Sequence, residues 1–206
     1  MATPLDIYEL AFLAGGQNRT VETAIVALVL EGRLRVHAPG QLASVELSRR
    51  DPVEAAVIDA CPPIGHRSVD TICWRLLDDD RVLDIGRRLH KAGLLGRMGA
   101  AVSVLHGVHR GLAPTHAGHR VLHDAANEPP PGHPEAIRVA LGGREAMADA
   151  RLRSAIFELP VTTLGPPGRR HSHDIDHSDP RLAAYRTGGT ASAAGAFLEV
   201  TGGGGL

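Results

Sequence analysis

The sequence predicts a mainly α-helical fold with small β wings. Three observations carry that expectation. Hydrophobic residues make up 43% of the 206-residue chain but aromatics only 3%, so the core must be built from Leu, Val, Ile and Ala, which suits packed helices. Helix start and stop signals alternate along the first 126 residues. A helix–glycine–extended pattern recurs 61 residues apart: Val21 meets Val82, Leu28 meets Leu89, Gly32 meets Gly93 and Leu34 meets Leu95.

The elements follow in order. Ile7, Leu10, Ala11 and Ala14 recur at helical spacing, and Gly15-Gly16 stops that first helix. Thr20 is then expected to cap a second helix running to Glu31 and ending at Gly32. In LRVHAPGQLASVEL, Leu34 and Val36 alternate, Pro39-Gly40 turns the chain, and Val45 and Leu47 alternate again, the pattern of a hairpin. Asp51-Pro52 starts a helix over Val53–Ala60, which Pro62-Pro63 stops. Ser68 caps Val69–Leu77, Arg81–Ala92 ends at Gly93, and Thr115 caps a helix in PTHAGHRVLHDA. NEPPPGHP reads as a linker, followed by the short helical pieces EAIRVAL and DARLRSAIFEL.

Helices followed by a hairpin form the order of a winged helix, and the 61-residue spacing suggests two in tandem. The expected division is a first unit over 1–50, a second over 51–126, a linker with accessory helices over 127–159, and a His- and Gly-rich flexible tail over 160–206. The tail has too few apolar side chains to offset the entropy of ordering it.

In a winged helix that reads DNA, the last helix before the wing enters the major groove. In the second unit Val82, Ile85, Leu89 and Ala92 form the inner stripe, leaving Arg81, Asp84, Arg87, Arg88 and Lys91 opposite, with Arg97 beyond. That face is either a solvated surface or a contact for phosphates or an acidic partner. The equivalent first-unit positions are Thr20, Thr23, Val26, Ala27 and Leu30, without a cation. A helix apolar on every side must be covered all round, by the second unit, by residues 134–159, or by a partner chain. Val26, Leu30, Leu34 and Val36 are therefore the candidate partner-binding residues, the first wing over Leu34–Leu47 included.

Other chemistry is sparse. A net charge of -1 gives no bulk support to nucleic-acid binding. Cys61 and Cys73 fit neither a disulfide framework nor a Cys-x-x-Cys site and read as buried thiols of a reducing compartment. His106/His109 and His116/His119/His123 have helical spacing without a supporting metal motif, and HSHDIDHSD is at most an adventitious metal binder. No phosphate loop, nucleophile elbow or paired carboxylate site is present, so no catalytic residue, metal site or cofactor is expected. The N-terminus lacks a basic signal-peptide region, and the apolar run Ala24–Leu30 is far short of the roughly 18 residues of a membrane span. A cytoplasmic location without membrane contact is expected.

The stretches YELAFLAGG (Tyr8–Gly16), VETAIVALVLEGRLRV and DPVEAAVIDA resemble the near-uncomplexed-cysteine domain family of actinobacteria, as do RSVDTICWRL, IGRRLHKAGLL and VALGGREAMADARLRSAIF. Together these pieces span about residues 5–158. Many members of that family carry such a region before membrane helices and a Gly/Cys-rich tail, and some lie beside peptide-modifying enzymes of the multinuclear non-haem iron oxidase type. Here the Gly-rich tail holds no cysteine and no membrane helix is expected. The resemblance implies a non-enzymatic protein, a partner or precursor-like component of a peptide-modifying system, with no catalytic residue to carry over. The functional expectation is a protein- or peptide-binding module, the alternative a winged-helix DNA-binding regulator using Arg81, Arg87, Arg88, Lys91 and Arg97. A salt-sensitive affinity for duplex DNA separates the two.

Overall fold

The first helix sets the frame. Asp6 accepts hydrogen bonds from the Tyr8 and Glu9 amides, and Glu9 reaches back to the Asp6 amide, a closed capping box. Helix α1 then runs over Ile7–Leu30 with one break, at Gly16 (φ 71°, ψ -158°), a conformation only glycine adopts without strain. The computed structural model describes residues 5–62, 64–97 and 112–158. All of these fall in the first of the chain's two units, Met1–Val161, so the expectations for residues 162–206 lie outside the described residues.

The expected break at Gly15-Gly16 is present, but Thr20 caps nothing. The helix resumes at Gln17, and the Thr20 hydroxyl donates to the Gly16 carbonyl one turn back (3.0 Å). Strands β1 (Leu34–Ala38) and β2 (Gln41–Ser44) pair antiparallel, Leu34 opposite Ser44 and Val36 opposite Leu42, with the expected turn at Pro39-Gly40. Val45 and Leu47, placed in the hairpin by their alternation, lie past the end of β2. Helix α2 (Pro52–Ala60) is capped by Asp51. A two-residue strand β3 (Arg67–Ser68), absent from the sequence reading, pairs with β2 and gives the sheet order β1-β2-β3. Helix α3 (Val69–Leu76) follows under the Ser68 cap and α4 (Asp80–Lys91) under the Asp79 cap.

Strands β4 (Leu95–Arg97) and β5 (Leu112–Pro114) form a second antiparallel ladder. Helices α5 (His116–Asn127, capped by Thr115), α6 (Pro134–Gly142) and α7 (Ala150–Phe157) complete the described chain, with a 3-10 turn at Arg144–Ala146. The protein is thus mainly helical with small antiparallel sheets. One continuous cluster of buried side chains joins Leu13, Ile25 and Leu28 of α1 to Val57 of α2, Ile72 of α3, Leu89 of α4, Val139 of α6 and Ile156 of α7. Each such side chain contributes about 1.5–3 kcal/mol on burial, so α1, at the centre, organises the core.

The 61-residue repeat is a local structural fact. At the end of α1 the amides of Glu31, Gly32 and Arg33 donate to the carbonyls of Ala27, Val29 and Leu28. At the end of α4 the amides of Ala92, Gly93 and Leu94 donate to those of Arg88, His90 and Leu89. Every donor and acceptor is displaced by 61 residues, and Gly32 and Gly93 share φ near +72° (72° and 73°). This is the left-handed glycine exit that turns a helix into a strand.

Candidate functional site

The structure covers the outer face of α1 with the chain itself. Val26 is 0% exposed and Leu34 1%, while Leu30 and Val36 are half-buried. The expectation that Val26 faces outward is corrected: it has no surface to offer a partner. Helix α6 packs along α1 more extensively than any other described element. Arg19 donates to the Leu141 carbonyl at the end of α6 (3.2 Å), and Glu22 meets Arg144 just beyond it (3.5 Å). Arg19 and Glu22 lie two turns and one turn before Val26 on one helical stripe, so this face is the seat of residues 134–146. Burial raises the Glu22 carboxyl, with Arg144 and Arg19 opposing that shift.

A buried charge network secures the exit into the first wing. Arg33 is 2% exposed. Its guanidinium donates to Glu54 of α2, to Glu31 (3.1 Å) and to the Ser48 carbonyl. Tyr8 donates its hydroxyl to the other Glu54 oxygen at 2.8 Å. Burial, reinforced by Glu54, pushes the Tyr8 phenol far above its usual value, so it acts as a donor and not as a phenolate. Sequence reasoning missed this network. The one available signal was Glu54, a lone acid between Val53 and the apolar run Ala55–Ile58; Tyr8 and Arg33 have charged neighbours and gave none.

The first wing carries part of the exposed apolar surface, Ile64 and Trp74 standing open elsewhere among the described residues. Val45 is 59% exposed and Leu47 53%, on the segment leaving β2. The Val45 amide donates to the Arg33 carbonyl at 2.9 Å, which makes 33 and 45 a hydrogen-bonded pair. By alternation Leu34 and Val36 turn their backbone groups away from β2, toward the edge of the sheet. β1 is an edge strand, and α7 meets the hairpin at its turn, where the Gly40 amide donates to the Ala155 carbonyl. On the same wing the rings of His37 and His66 stack, 4.4 Å apart and 9° from parallel.

The α4 face keeps the predicted arginines but supplies most of them with carboxylates. Arg81 pairs with Asp79 (2.8 Å) and Asp59 (2.7 Å), Arg87 with Asp84 (2.7 Å) and Asp80 (3.3 Å), and Arg88 with Glu9 (3.4 Å). Hydrogen bonds from Arg81 hold the Asp59 and Asp79 carboxyls below their usual range. Lys91 and Arg97 are exposed, without a carboxylate in ion-pair reach among the described residues. A cleft of about 450 Å³ opens between α4 and the N-terminal ends of α1 and α2, lined by Asp6, Tyr8, Asp51, Arg81, Asp84 and Arg88 among others. Burial raises the Asp51 carboxyl there, against hydrogen bonds from the Val53 and Glu54 amides. Acids and arginines interleave across this face, so its field is not that of a polyanion groove.

Neither thiol is poised as a nucleophile. Burial raises both, Cys73 to about 12, so the thiolate is scarce near neutrality. Among the described residues no group of three or more His, Cys, Asp or Glu is placed to hold a metal ion, and no helix is long and apolar enough to cross a membrane. His106, His109 and the HSHDIDHSD cluster lie outside the described residues. Compared with protein-family models, with curated proteins and with solved structures, the chain matches none.

Proposed function

We propose that the chain is a non-enzymatic protein- or peptide-binding module of tandem winged-helix type, with the first wing as its docking surface. The observation that carries this reading is the exposure of Val45 and Leu47 beside an edge strand. Two large aliphatic side chains held open on the segment that leaves β2, one strand in from the edge of the sheet, suit an extended peptide bearing apolar residues, which adds as a further strand. Val36, half-buried, enters through its backbone groups, while Leu34, 1% exposed, serves the core. The resemblance carried by Tyr8–Gly16 and the EGRLRV exit supports a place beside peptide-modifying enzymes, as a partner or precursor-like component. The DNA-regulator reading draws less support, because Arg81, Arg87 and Arg88 already face carboxylates that would repel phosphate.

Selection from a displayed random-peptide library tests the reading. The expected result is enrichment of peptides with alternating apolar residues. It should be lost in a Val45→Asp/Leu47→Asp double variant and kept in Arg87→Glu/Arg88→Glu. Binding to duplex DNA that falls steeply with salt and is abolished by the arginine variant would reverse it.

A further inference from the structure

We propose that the first wing takes an acidic strand: an extended peptide with aspartate or glutamate at alternate positions, seated on the outer edge of β1. This deepens the docking reading above and rests on it. The other strand edges among the described residues are poor templates. β3, at the far side of the first sheet, is only two residues long. In the second ladder the Thr115 amide donates to the Leu94 carbonyl at 2.9 Å, so Leu95 and Pro114 turn their backbone groups outward. Pro114 has no N–H to offer there, and the Leu95 carbonyl already accepts from His90 Nδ1 (2.9 Å). β1 carries neither guard: no hydrogen bond among the described residues reaches the outward amides and carbonyls of Leu34 and Val36.

Charge sets the class of peptide. Arg35 lies opposite Ala43 in the pairing of β1 with β2, and the register of β2 with β3, carried on by one residue, puts His66 opposite Ala43 from the other side. His37 joins that face by alternation, and its ring stacks on that of His66. These positions bring together one permanent cation and two imidazoles, and no carboxylate. Arg35 is exposed and makes no ion pair among the described residues, unlike Arg81, Arg87 and Arg88 of α4. A strand added to β1 places every second side chain on this face, about 5 Å across from Arg35 and His37. Acids are favoured at those places and cations repelled. The intervening side chains fall on the opposite face, beside half-buried Val36, where apolar residues fit.

Fluorescence anisotropy of the full chain with three labelled heptapeptides tests it: valine alternating with glutamate, with glutamine, or with lysine. The glutamate peptide is expected to bind about fivefold tighter than the glutamine one and about tenfold or more tighter than the lysine one at low salt, with both gaps shrinking at about 0.5 M salt. Arg35→Glu should reverse the order of the glutamate and lysine peptides and leave the glutamine peptide within about twofold. Binding should slow hydrogen exchange at the Val36 amide and leave the Leu112 amide unchanged. Equal affinity for the three peptides, or an order unchanged by Arg35→Glu, overturns this proposal alone. If none of the three binds while the displayed library yields binders that Val45→Asp/Leu47→Asp abolishes, the proposal falls and the wing reading stands. No binder from either source, or protection at Leu112 in place of Val36, overturns both.

Discussion

Helices α1 and α4 leave through the same three hydrogen bonds and the same left-handed glycine, yet present opposite outer faces. Position 26 is a valine sealed beneath later parts of the chain, and its counterpart 61 residues on, Arg87, stands in solvent between two aspartates. The residues that follow the glycines also diverge. Arg33 is locked by Glu54; the equivalents are Leu94 and Thr115, and the Thr115 hydroxyl donates to the Gly93 carbonyl at 2.8 Å. The exit is thus a local device fixed by a handful of neighbouring residues. What a helix shows to the outside depends on which segment returns to it.

The sharpest difference is expected from exchanging the two equivalent residues. Val26→Arg places an unpaired cation under α6 and should cost on the order of 4 kcal/mol or more. Arg87→Val removes exposed ion pairs and should change stability by no more than about 0.5 kcal/mol. Urea unfolding followed by far-UV circular dichroism measures both, and equal costs would mean that α6 does not seal α1 in solution.

Next in size is the lock on the first exit. Glu54→Ala leaves the Arg33 guanidinium buried with only Glu31 and the Ser48 carbonyl, and Tyr8 without its acceptor. Breaking a buried pair costs about 3–5 kcal/mol, and the remaining Glu31 contact places this variant near the lower end. Thr115→Ala, at the matching place 61 residues on, removes a helix cap and should cost about 1 kcal/mol. A ratio near one between these two variants would erase the distinction drawn between the exits.

The same contrast explains what could be read from the residues alone. Asp51-Pro52, Ser68 and Thr115 announce their helices because a cap is an interaction over two or three residues. Gly32 and Gly93 were readable for the same reason. Thr20 misled because the glycine break is shorter than a loop; with the helix resuming at Gln17, its hydroxyl turned back to Gly16. An apolar-all-round helix correctly signalled a cover, but its main cover begins at Pro134, more than a hundred residues on, where no local periodicity reaches. Arg33 reads as a surface residue after a glycine, and only its meeting with Glu54, 21 residues away, explains its burial. The contact between Phe12 and Gly86 across two helices left no sequence signal.

The glycines themselves test the likeness. A Cβ at Gly32 or Gly93 meets nothing within 4 Å, so Gly→Ala there is opposed only by the backbone conformation. Each substitution should cost about 1–2 kcal/mol. Because φ is 72° at one and 73° at the other, the two costs should agree within about 0.5 kcal/mol, the scale of ordinary surface changes. A much larger loss at Gly32 would show that the Arg33 lock, and not the glycine, defines the first exit.

The smallest effect concerns the start of α4, where Arg81 takes the place that the buried Thr20 holds in α1. Asp59 reaches Arg81 from α2 and also holds Arg49. Its carboxyl lies below the ordinary aspartate value because of those hydrogen bonds, so the folded state favours the ionised form. The resulting stabilisation is present above the unfolded-state value of about 3.9 and is lost as pH falls through the lower folded value. The side chain is 35% exposed, so solvent screening reduces the gain to about 0.5 kcal/mol. Asp59→Asn should therefore cost about that much at neutral pH, and the gap from the parent should close below about pH 4 in paired urea titrations. A gap that persists into strong acid would assign the role of Asp59 to neutral hydrogen bonding, leaving the two helix starts distinguished by burial alone.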